Sequence, residues 1–173
     1  DHIGVSMGMT LHNVAKTKRA FPKDNHYMFV PIIGGISPTT VNNVDVQSNQ
    51  IAREYAEKFG GTYTQFLAPA LFSEKRVKDY FLKEKTVNFI FDDFQKLDVL
   101  VMGIGATSTC TDSTMIQGGY ITSEETKALV ENGVAGNVAL QFFDENGDTG
   151  KFRAFNERVA GMSPDMIKRV RSR

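Results

Sequence analysis

Short apolar runs of strand length alternate with helical stripes along this chain, and that alternation restricts the folds open to it. Tyr27-Met28-Phe29-Val30-Pro31-Ile32 is apolar throughout, the pattern of a strand covered on both faces. Leu97 to Gly105 repeats the pattern and ends in a glycine turn, so it reads as the clearest buried strand. Ile3 to Ser6 is small and apolar enough for the middle of a sheet, and Thr62 to Leu67 forms a further strand. Between them, Leu11, Val14 and Ala15 recur at helical spacing. From Val44 to Phe59 the positions Val44, Ile51, Ala52, Tyr55, Ala56 and Phe59 make one stripe, closed by Gly60-Gly61. Ser73 starts a helix carrying Val77, Tyr80 and Phe81, and Lys85 to Gln95 another carrying Val87, Ile90, Phe91 and Phe94. Ser123 to Glu131 is a helix with Ser123 as cap and Asn132-Gly133 as stop. Val138 to Phe143, the turn Asp144 to Asp148, and Lys151 to Phe155 read as a β-hairpin, and Pro164 to Arg171 as a last helix. The order predicts an α/β fold: a mostly parallel, Rossmann-like sheet flanked by helices, with the hairpin as a small antiparallel annex. Ligands of such sheets bind beyond the carboxyl ends of the strands. The loops after Ser6, Ile32, Leu67 and Met102 are therefore the candidates.

Composition removes several classes of function. The chain has 173 residues, enough for one domain with a substantial core. Twenty basic residues balance twenty acidic ones, so no net field draws it to nucleic acid or an anionic membrane. The single cysteine, Cys110, excludes an internal disulfide and fits a reducing cytoplasm. No apolar run is long enough to cross a bilayer, and no signal peptide is expected. Residue 1 is not methionine, a strand follows almost at once, and the last helix runs into the terminus. The expectation is a piece of a longer protein.

The opening Ile3 to Ala15 passes from strand to helix within about three residues. Gly8 sits at the junction, and the Thr10 hydroxyl can cap the helix. Such a junction gathers unpaired N–H groups at the positive end of a helix, a seat for phosphate; any βα connection also needs a glycine and a cap. Gln47 lies four and eight residues before Ile51 and Tyr55, on the inward stripe at the first turn of its helix. Its amide could face a ligand or satisfy a loop carbonyl. Asn137, after Gly133-Val134-Ala135-Gly136 and before a strand, carries the same two readings. Gly103-Ile104-Gly105 lacks the third glycine of a dinucleotide loop, which is Ser108 here, so no nicotinamide cofactor is expected. Asp144, Asn146 and Asp148 start like a calcium loop, but Thr149 and Phe155 stand where glycine and glutamate are required. His2, His12 and His26 lack metal-ligand spacing, and Cys110 has no nucleophile motif around it. No metal and no cofactor are expected.

Taken in order, these motifs resemble the effector-binding domain of SorC-type sugar-responsive transcriptional regulators. The resemblance is carried by Ile3-Gly4-Val5-Ser6-x-Gly8-x-Thr10, Val30-Pro31-x-x-Gly34-Gly35, Gln47-x-Asn49, Gly60-Gly61-Thr62-Tyr63 and Ala68-Pro69. It continues through Asp98-Val99 with Gly103-Ile104-Gly105, Gly133 to Asn137, Phe143-Asp144-x-x-Gly147 and Asn156-x-Arg158. It implies a fold similar to the ribose-phosphate and glucosamine-phosphate isomerases and a phosphorylated sugar as effector. It also implies a homo-oligomer, dimer or tetramer, that meets DNA only through a helix-turn-helix on a separate N-terminal segment. By position, Gly8, Met9 and Thr10 would hold the phosphate through N–H groups and the threonine hydroxyl. Gln47 would bond sugar hydroxyls, the loop around Gly105 would complete the wall, and Asn137 stands where relatives usually place an acid. Ile33 occupies a position where some bisphosphate-binding relatives carry arginine, which points to one phosphate. The family's Gly-Gly-x-x-Lys stretch would lie beyond Arg173. An isomerase on the same fold is the competing reading. It needs a carboxylate near the substrate carbon, whereas Asp98 starts its strand at the wrong end, Asn137 cannot accept a proton, and Asp112 has no evident partner.

Overall fold

Phe29 and Val30 are neighbours on one strand, both buried, and each packs in a different core cluster. A strand alternates its side chains between faces, so its sheet is covered on both sides. In the computed structural model, which describes residues 1–18, 21–22, 26–36, 46–106 and 121–170, this sheet contains β1 (His2–Val5), β2 (Tyr27–Pro31), β3 (Gly61–Tyr63) and β4 (Val99–Val101). The order is β3-β2-β1-β4 and every pairing is parallel. The strand ends after Val5, Pro31 and Val101 therefore open on one edge.

Helices α1 (Met9–Lys16) and α2 (Ser48–Phe59) cover one face. There Val5, Leu11, Phe29, Ile51, Ala52, Tyr55 and Ala56 form one cluster. The Tyr55 hydroxyl donates to the Leu11 carbonyl at 3.1 Å, inside that cluster. On the other face α4 (Lys85–Gln95) buries Val87, Ile90 and Phe94 against Val30, Ile32 and Phe66. Its neighbour α3 (Lys75–Phe81) buries none of its residues. A second, antiparallel sheet has the order β5-β6-β7, from β5 (Gly105–Ala106), β6 (Val134–Val138) and β7 (Gln141–Asp144). α5 (Ser123–Glu131) precedes it, and α6 (Arg153–Asn156) and α7 (Pro164–Arg169) follow. The expected mixed α/β architecture is borne out. Among the described residues no helix is long and apolar enough to cross a membrane.

Several local expectations are corrected. The run from Leu97 to Gly105 is not one doubly covered strand: β4 is three residues long at the sheet edge, and Gly105 belongs to the other sheet. The hairpin lies earlier than expected, over Val134–Val138 and Gln141–Asp144, because the chain turns at Ala139-Leu140. Both residues have positive φ, 47° and 64°, the conformation of a two-residue hairpin loop, which glycine and asparagine usually supply. Here it is held by burial, since both side chains are in the core. Residues Gly150 to Asn156 are helical, and Asp144 makes an Asx turn by accepting from the N–H groups of Asn146 and Asp148. Thr122, not Ser123, caps α5, in a reciprocal capping box with Glu125. α3 begins after Glu74 with no side-chain cap from Ser73. The strand expected from Thr62 to Leu67 covers Gly61–Tyr63 only.

Two asparagines of the ordered motifs each clamp the backbone of a phenylalanine. Asn49 accepts from the Phe66 N–H at 2.8 Å and donates to its carbonyl at 3.1 Å. Asn156, buried, does the same to Phe142 at 2.9 Å in both directions. Arg158 donates to the Phe72 carbonyl at 2.8 Å and pairs with Glu125, tying α5 to two loops. Burial pushes the Glu125 carboxyl up, but Arg158 and Thr122 outweigh it and hold its pKa below the ordinary value. Asn156→Ala leaves a buried N–H and a buried carbonyl unpaired, each costing about 1–3 kcal/mol. Urea unfolding should show a loss of roughly 3 kcal/mol. Glu125, depressed in the folded state, contributes stability above its unfolded pKa that is lost as pH falls through the folded one. Glu125→Gln should therefore flatten the fall in melting temperature below the ordinary carboxylate range.

Candidate effector site

Gly8 ends the turn after β1 and starts α1 at φ 136°, a conformation that side chains resist. Its carbonyl accepts from the His12 N–H at 3.1 Å. Gly8 is thus the cap position, and the expected role of Thr10 as cap is corrected: Thr10 already lies inside the helix, and no side chain caps it. The Gly8 N–H donates to the Val46 carbonyl at 2.9 Å, so it is not available to an anion. The next N–H groups, of Met9, Thr10 and Leu11, have no acceptor among the described residues. They are the free donors of the first turn.

These donors open on a cleft of about 190 Å³. Its walls are the first turn of α1, the segment Gly103-Ile104-Gly105 and the β6–β7 hairpin with Asn137, Ala139 and Leu140. Gly105 pairs with Asn137 across the β5–β6 ladder. A Cβ on Gly105 would lie 2.6 Å from Asn137 Nδ2, so glycine there is what leaves room for the amide. Asn137 is in the middle of β6, not ahead of a strand as the sequence pattern predicts. No charged side chain lines the cleft among the described residues. Met9 and Ile104, 59% and 76% exposed, stand at its mouth. The Ser6 hydroxyl, buried between the ends of β1 and β4, accepts from the Gly103 N–H at 3.4 Å and fixes the Gly103-Ile104-Gly105 wall.

The cleft thus unites Gly8, Met9, Thr10, Gly105 and Asn137. Gln47 stands apart from its described lining. It is the residue before α2, in extended conformation rather than on the inward stripe, and its Oε1 lies beside Gly35. Ile33 is wholly buried against Gly161, so it takes no part in the cleft and carries no information about a second phosphate. The sequence reading missed Met7, Ala139 and Leu140, because the turn at 139–140 has no turn chemistry to mark it. Asp98 accepts from the His2 N–H at 3.0 Å, at the opposite edge of the sheet. His12 faces Glu54 at 3.3 Å and sits on no group of metal ligands. Cys110 and Asp112 lie outside the described residues.

The family model described as "Putative sugar-binding domain" matches residues 1–173. The chain belongs to this sugar-binding domain family. It is 26% identical over 146 residues to the "Central glycolytic genes regulator" of Bacillus subtilis, covering 84% of this chain and 40% of that one. A DeoR family transcriptional regulator from Listeria monocytogenes superposes with a TM-score of 0.83 at 27% identity, over 98% of this chain and 63% of the other. The full-length sorbitol operon regulator SorC of Klebsiella pneumoniae shares the fold, with a TM-score of 0.79 at 22% identity over 96% of this chain and 51% of its own. The domain thus spans 40% of the curated relative. The resemblance to SorC-type regulators drawn from the ordered motifs is borne out by these matches.

Gly105→Ala should push the Asn137 amide out of the cleft while leaving both sheets in place. We expect a loss of about tenfold in affinity for a bound sugar, the worth of one hydrogen bond, measured by calorimetry beside an unchanged urea midpoint.

Proposed function

We propose that this sugar-binding domain senses a phosphorylated sugar for a transcriptional regulator, holding it in the cleft at the start of α1. The observation that carries the reading is the set of unpaired N–H groups of Met9, Thr10 and Leu11 facing Asn137 across that cleft. A phosphate oxygen accepting from such donors makes charge-assisted bonds of about 1.5–3 kcal/mol each. The helix dipole adds only about 0.3–1 kcal/mol, so the N–H groups dominate. The Thr10 hydroxyl adds a donor, and Asn137 both donates to and accepts from sugar hydroxyls. Met9 and Ile104 would cover the carbon face of the sugar, and Gln47 would reach its far hydroxyls from the start of α2.

The effector in this account carries one phosphate at this end. With no cationic side chain in the described lining, a second phosphate would have no counter-charge. The regulator is proposed to work in the cytoplasm as a dimer or tetramer, meeting DNA through an N-terminal helix-turn-helix outside this domain. Turnover is not part of the account. A proton shuttle needs a positioned base, and the cleft offers an amide at position 137 and no carboxylate among its described residues.

A thermal-shift screen against hexose and pentose monophosphates tests the reading. A ligand at a hundred times its dissociation constant should add about 2.7 kcal/mol of stability, and Thr10→Ala should reduce the gain. Retention of the full gain in Thr10→Ala, or preference for a bisphosphate by more than about tenfold, contradicts it. Proton exchange beside the sugar carbonyl in heavy water, above the buffer rate and lost in Asn137→Ala, would make the domain an enzyme.

A further inference from the structure

A second cleft, of about 380 Å³, lies between α3, the start of β7, α6 and the start of α7. It falls within the size range of small-molecule sites. Its floor holds Gln141, which is 4% exposed. The Gln141 side chain lines the cleft and makes no hydrogen bond to any described residue. The amide, unpaired within the described residues, opens on the cleft and offers both a donor and an acceptor to a ligand there. Beside it stands Lys78, whose side chain is only 15% exposed. Its carboxylate partner, Asp79, is 3.6 Å away and already held by Lys75. An ammonium carries three donors, so Lys78 retains donors for another group. The rim carries Glu157, engaged by Arg153 at 2.9 Å, and Asp165. Ser163, also on the wall, gives its oxygen to the Met166 N–H.

We propose that this cleft is a second binding site, separate from the effector cleft, for a small hydroxycarboxylate with a single negative charge. Lys78 Nζ and the Gln141 NH₂ group donate to its carboxylate, and the Gln141 carbonyl accepts from its hydroxyl. Arg153 on the same rim neutralises Glu157, which leaves Asp165 as the rim charge that disfavours a doubly charged anion such as phosphate. The two clefts adjoin one hairpin: Leu140 lines the first and Gln141 the second.

The test is titration of the isotope-labelled full chain with glycerate, and separately with inorganic phosphate, reading the side-chain amide signals of Gln141. The expected result is a saturable shift with glycerate and a weaker response to phosphate. Lys78→Met, on a helix that buries none of its residues, should weaken glycerate by about tenfold or more, the worth of one charge-assisted hydrogen bond. Gln141 signals that stay in place, Lys78→Met binding as tightly as the parent, or phosphate binding more tightly than glycerate would each overturn the proposal. The readout is independent of the effector cleft, whose own failure would appear at Met9 to Leu11.

Discussion

The hydrogen bond from the Gly8 N–H to the Val46 carbonyl joins the start of α1 to the approach of α2. It uses the one donor of the glycine turn that would otherwise compete for a ligand. The next three N–H groups are left aimed at the cleft. The helix that carries them is anchored in the core by Leu11 and tied to α2 by the Tyr55 hydroxyl, which donates to the Leu11 carbonyl. Burial, helped by the negative charge of Glu54, pushes the Tyr55 pKa up, so this hydroxyl stays a donor. Glu54 also accepts from Gln50 at 3.0 Å and meets Lys16 at 3.4 Å and His12 at 3.3 Å. The donors are thus fixed before a ligand arrives, and little ordering cost falls on binding.

The parallel sheet was legible because its strands must be apolar on both faces, and Tyr27 to Ile32 can satisfy no other placement. Helix spacing was as clear: Lys85 to Gln95 begins and ends where the stripe of Val87, Ile90 and Phe94 predicts. The annex was not legible. Its turn is Ala139-Leu140, where packing rather than residue type imposes positive φ, while Asp144 to Asp148 has ideal turn composition and serves a smaller Asx turn. β4 was overestimated because apolar composition cannot distinguish an edge strand from a central one.

The site was legible in part, for the same reason. Gly8 marks a backbone need that sequence shows directly. Thr10 looks like a cap, but helix start is set by backbone geometry, and Gly8 takes that place two residues earlier. Asn137 and Gly105 meet only through a ladder between strands far apart in sequence. Their contact could not be read locally, although both positions were singled out. Asn49 and Asn156 show the converse: two motif residues whose side-chain amides are spent on holding backbone in place.

The proposed recognition of an anion by an uncharged cleft would have a direct signature. Backbone amide spectra of the labelled domain, recorded while a bound hexose monophosphate is titrated in, report on each donor separately. The account predicts large downfield shifts and slowed hydrogen exchange at Met9, Thr10 and Leu11, with Gly8 unchanged because Val46 already holds its proton. Binding of the monophosphate with these three amides unmoved, and the shifts elsewhere, would contradict it.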